Sequence, residues 1–113
     1  MTDRELLEMA AKAAGIGIVG PIEKYIAQPS IEHIGGFIID NDRGGNSCWN
    51  PLSDDGDALR LAVKLELTVN ISHGKTVVDT PWGPVIDFES CGDTCAATRR
   101  AIVLAAAEIW KSS

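Results

Sequence analysis

Residues 94 to 110, TCAATRRAIVLAAAEIW, constrain the fold more than any other stretch. Ala97, Ala101, Ile102, Leu104, Ala105 and Ile109 recur at helical spacing, and the helix they predict is apolar nearly all round. Such a helix must be covered on more than one side, by the rest of its own chain or by a second copy. It is expected to start near Asp93 or Thr94 and to end at about Trp110. A chain of 113 residues forms one domain with one core, so few elements are left to cover it.

Those elements can be read in order. Thr2-Asp3-Arg4-Glu5 is a capping box, in which the Thr2 hydroxyl and Glu5 satisfy free amides of the first turn. Leu6, Leu7, Met9, Ala10, Ala13 and Ala14 then form an apolar side, and Gly15 is placed to end the helix. Residues 15 to 33 hold prolines and glycines and fit either a short edge strand or an ordered loop. HIGGFIID, residues 33 to 40, reads as a strand with a Gly-Gly weak point, and NDRGGNS reads as a loop. A second helix is predicted from Ser53 or Asp54 to about Leu65, with Ala58, Leu61, Ala62 and Leu65 on its apolar stripe and Leu59 and Val63 widening it. LTVNI, KTVVD and VIDFE follow as a three-stranded antiparallel meander, joined through SHG and TPWGP. The expected fold is α+β: residues 1–113 as a single domain, with a small antiparallel sheet of three to four strands layered with about three helices.

Composition excludes several classes. The apolar share of 45% and charged share of 23% are those of a soluble folded chain, and no apolar run nears the roughly 18 residues of a membrane span. The acidic, helical N-terminus is unlike a signal peptide, so the expected location is the cytoplasm. A net charge of −6 argues against direct nucleic-acid binding, which needs a basic face. Most of that charge lies between Asp40 and Asp57, where five aspartates stand with one arginine.

The acidic run is the first candidate for chemistry. Asp54 and Asp57 stand three apart, as a helix cap and its N3 partner do, with Ser53 as the other capping candidate. Helix initiation explains every polar residue of SDDGD, with the alternative being a divalent-metal or acidic recognition site that includes Asp40 and Asp42. DNDRGGNSCWNP fails the calcium-loop pattern, since Gly44 and Pro51 occupy the fifth and twelfth positions. Cys91 and Cys95 form a CxxxC without a second pair, and His33, His73 and Cys48 are scattered, so no metal site and no cofactor is expected. The cysteines read as small buried apolar residues, and Arg99 and Arg100 as solvent-facing. Trp49 and Trp82, each two before a proline, are the aromatic candidates for a core lid, a pocket wall or an interface anchor. None of the common catalytic signatures is present, which leaves no catalytic residue to name.

Three segments in order, RELLEMAAKAAGI, WNPLSDDGDALRLAVKL and AATRRAIVLAAAEI, resemble small uncharacterised proteins of tailed phages and prophages. The resemblance is to the NinX-like group and, more loosely, to the phage α-β-α sandwich domain. Its most specific part is W-x-P-x-x-D-x-x-x-A, met by Trp49, Pro51, Asp54 and Ala58, followed by Ala101, Ile102, Ala105 and Ala106 in the last segment. It implies a central antiparallel sheet with helices on its faces and a phage context, with no reaction and no functional residues. The expected function is a phage or prophage accessory protein acting through protein contacts, with a homodimer through the C-terminal helix as one arrangement. The first alternative is a small enzyme or ligand-binding domain with a pocket near Trp49, Trp82 and the Asp40–Asp57 region, where Trp49, Asp54 and Trp82 are the candidate binding residues. The second is an acidic decoy of a host nucleic-acid-binding protein.

Overall fold

The structure is a computed structural model that describes residues 2–21, 36–40, 45–72, 75–80, 86–89 and 93–112. Among the described residues, three helices, α1 (Asp3–Ala14), α2 (Asp55–Lys64) and α3 (Thr94–Ser112), accompany six strands. The strands are β1 (Ile18–Pro21), β2 (Phe37–Asp40), β3 (Asn46–Trp49), β4 (Thr68–Ser72), β5 (Lys75–Asp79) and β6 (Ile86–Glu89). The fold is α+β, but the strands form two antiparallel sheets, β1-β2-β3 and β4-β5-β6, and not the single sheet expected.

The meander is the second sheet, with Val69 opposite Val78 and Ile71 opposite Thr76. The first sheet contains the strand that sequence reading missed. β3 begins within NDRGGNS, which reads as a loop, and it pairs along β2 from Phe37↔Trp49 to Asp40↔Asn46. NSCW carries no alternation of apolar residues to announce a strand, and its pairing with β2 is what makes it one. β1 is an edge strand that ends at Pro21, with an irregular register between Ile18 and Gly20.

α3 is the central element. Its residues Ala97, Ala101, Ile102, Val103, Ala105, Ala106, Ala107 and Ile109 are buried, and α1, α2, β5 and β6 all pack against it. Most of its apolar circumference is therefore covered within the chain, with Trp110 near its C-terminal end 43% exposed. The alanines let α1 and α3 approach closely, with Ala10, Ala11 and Ala14 of α1 in the same core cluster. The two helices run in the same direction: Arg100 pairs with Asp3 at 3.1 Å, and Lys12 sits 5.7 Å above the Trp110 ring. Asp93 starts α3 by accepting the Ala96 N–H at 3.1 Å. Thr76, buried in β5, shares a hydrogen bond with Thr98 of α3 at 3.1 Å, so the polar group enters the core with its partner.

Local signals set the helix ends. Thr2 caps α1 by accepting the Glu5 N–H at 3.2 Å. Both α1 and α2 end in a Schellman motif. Ile16 N–H donates to Ala11 O and Gly15 N–H to Lys12 O after α1; Leu67 N–H donates to Ala62 O and Glu66 N–H to Val63 O after α2. The motif needs a left-handed residue, which is Gly15 (φ 70°) in the first case and Glu66 (φ 55°) in the second. A side chain there is strained by about 1 kcal/mol. Glu66→Gly is expected to stabilise the protein by roughly 0.5–1 kcal/mol, because relief of that strain exceeds the entropy the glycine adds to the unfolded chain. A urea titration measures the shift in midpoint.

α2 departs from its expected stripe. Ala58, Leu61 and Ala62 are buried, but Leu59 and Val63 are 63% and 69% exposed. The helix meets the core along one narrow face, and these two residues stand on its outer side.

Candidate functional site

The acidic turn between β3 and α2 is closed by its own hydrogen bonds. The Asn50 side-chain oxygen accepts the Leu52 N–H at 3.1 Å, and its carbonyl accepts the Ser53 and Asp54 N–H groups at 3.1 and 2.9 Å. Pro51, buried within the turn, sets its direction. Asp54 caps α2 by accepting the Asp57 N–H at 2.8 Å; Ser53 lies one residue upstream, exposed, and is not the cap. The buried Asp57 carboxylate reaches back to accept the Asn50 N–H at 2.9 Å and takes the Arg60 guanidinium at 2.7 Å on its other oxygen. Asp55 pairs with Arg99 at 2.5 Å, and the Arg99 Nε–H donates to the Leu52 carbonyl at 3.0 Å. Contrary to expectation, Arg99 is not a solvent-facing residue but a clamp that ties α3 to the start of α2; Arg100 holds Asp3.

Two concavities adjoin this turn. The first, about 330 Å³, is lined by Asp40, Cys48, Trp49, Asp57, Arg60 and Lys64, among others. The fold thus brings Trp49, Asp40 and Asp57 together, as the pocket alternative required. Trp49 is only 4% exposed, however, and its ring belongs to the core beside Phe37. Asp54 does not line this depression, and Trp82 lies outside the described residues, as do His33, His73 and Cys91. Among the described residues no group of three metal-ligating side chains converges.

The second concavity, about 400 Å³, is an apolar groove between α2, β4 and α3. Ala58, Leu59 and Ala62 form one wall, Val69 and Ile71 another, and Cys95, Thr98 and Ile102 the third, with the Asp55–Arg99 pair at its margin. It exists because α3 lies along β5 and β6 and leaves β4 overhanging. Ile71 is consequently 52% exposed, although it faces the same way as the buried Thr76. The Cys95 thiol is exposed beside the groove, against the expectation of a buried cysteine, and Cys48 is half-buried. Sequence reasoning did not find this groove; the surplus of apolar residues on α2, Leu59 and Val63, was the available signal.

No helix among the described residues is long and apolar enough to cross a membrane. No family model matches the chain, and no curated protein or solved structure matches it either.

Proposed function

We propose that this chain is a phage or prophage accessory protein that works through protein contacts, with the α2–β4–α3 groove as its contact surface. The observation that carries the contact reading is the run of exposed apolar side chains there. Leu59 and Ile71 line the groove, and Val63 continues the row one helical turn along α2. Exposed apolar residues gathered beside a groove mark an interaction site, whereas scattered ones do not. The phage context rests on the signature of Trp49, Pro51, Asp54 and Ala58.

A ligand-binding or catalytic role for the depression at Trp49 ranks second. Arg60 and Lys64 near Asp40 support it, but Asp57, its most buried carboxylate, is already engaged by Asn50 and Arg60. An acidic decoy ranks last, because Asp3, Asp55 and Asp57 are each paired with an arginine instead of forming an unpaired acidic array.

A photo-cross-linking residue placed at Leu59 tests the contact reading in the cells where the protein is made. Adducts to protein are expected from position 59 and not from Arg4, an exposed residue on α1. Equal or absent yields at the two positions would remove the groove as a contact surface.

A further inference from the structure

We propose that the partner at this surface is a second copy of the chain, joined through the edge of β4 so that the two β4-β5-β6 sheets become one. The proposal deepens the contact reading and rests on it. Among the described residues β4 pairs only with β5, in an unbroken five-pair register, and Thr68, Asn70, Ile71 and Ser72 are exposed. Sheet edges are ordinarily guarded by charge, proline or a bulge. β1, an edge of the other sheet, has Pro21 and a register irregularity; β4 has none of these.

The sequence of β4 favours its own copy over another strand. Thr68-Val69-Asn70-Ile71-Ser72 reads nearly the same in both directions. Antiparallel self-pairing about Asn70 sets Thr68 opposite Ser72, Val69 opposite Ile71, and Asn70 opposite Asn70. These are like on like: β-branched on β-branched, amide on amide, and hydroxyl on hydroxyl, the last a cross-strand pair that stabilises sheets. The strand has no charge, so no like charges meet across the two-fold axis.

The backbone register agrees. Ser72 and Lys75 close the β4–β5 pair with two residues between them. A closing pair of that kind exchanges both hydrogen bonds, so Val69 and Ile71 turn their N–H and C=O groups to the open edge. Pairing about Asn70 sets those two residues opposite each other, where each can satisfy the other's groups. On the groove side, Leu59 and Val63 of α2 extend the apolar layer beside the joined strands.

Sedimentation velocity of the full chain tests this, using Asn70→Lys and Asn70→Glu. Asn70 is exposed, on the sheet face opposite the groove, so both variants should fold. At ~0.15 M salt, where repulsion between distant charges is screened, the wild type is expected to sediment as a dimer. Each variant alone is expected to be a monomer, because two like charges would meet on the axis. An equimolar mixture is expected to return to the dimer, since lysine then meets glutamate. A monomeric wild type overturns the proposal, as does either variant remaining dimeric. A monomeric wild type that still forms position-59 adducts with another protein removes the second copy and leaves the contact reading standing.

Discussion

Asp57→Ala is expected to cost roughly 2–3 kcal/mol of stability, the cost of leaving a buried N–H without an acceptor, plus a few tenths for the lost negative charge at the helix start. The N–H is that of Asn50, held by Asp57 at 2.9 Å in the interior of the turn. Arg60 adds little to this figure, because its side chain is mostly exposed and its charge is screened. Asp54→Ala, by contrast, removes an ordinary helix cap and should cost about 1 kcal/mol. Urea titrations of the two variants, read as midpoint shifts at constant slope, rank them. An unchanged midpoint for Asp57→Ala would mean that its carboxylate is not holding the turn, and would return it to the list of groups available for chemistry. The expected ranking makes the acidic run the corner that fixes β3 to α2, and thereby fixes one wall of the groove.

Gly36→Ala is expected to cost about 3 kcal/mol, at the upper end for overpacking. An added Cβ would lie 2.2 Å from the Trp49 carbonyl oxygen and 2.6 Å from the Asn50 Cβ. The nearest atom belongs to backbone, which cannot swing aside as a side-chain tip could. The thermal midpoint should fall by roughly 10 °C. Retention of the wild-type midpoint would show that the start of β2 does not press on this corner. Trp49 and Asn50 are thus held from two sides, by the close approach of Gly36 and by the Asp57 carboxylate. The Gly-Gly pair that reads in sequence as a weak point contains, at Gly36, a position where only glycine fits.

Much of the architecture was legible because it depends on near neighbours. The Thr2 and Asp54 caps, the Gly15 stop and the alternation of β4 and β5 each involve residues a few positions apart. Asp54 of SDDGD also reads in sequence as the helix cap it is, but the back-reach of Asp57 to Asn50 does not, since it spans the turn. Arg99 was misread because its partners, Leu52 and Asp55, lie more than forty residues away in the chain. β3 was missed because its apolar residues do not alternate, and its status as a strand comes from β2. The groove was invisible for a similar reason: Leu59 and Ile71 look like ordinary core residues until it is known which side of β4 α3 leaves uncovered.

By itself, then, the sequence determined the three helices, the β4-β5-β6 meander and the demand that the last helix be covered on several sides. These follow from periodicity, capping and turn chemistry, which act over a few residues. Tertiary structure alone decided that the covering of α3 comes from α1, α2 and the second sheet, that the strands divide into two sheets, and that β4 overhangs its helix. Those outcomes depend on how a limited number of apolar faces share one small core. Among the apolar residues left over from that division, Leu59, Val63 and Ile71 mark the surface where function is proposed.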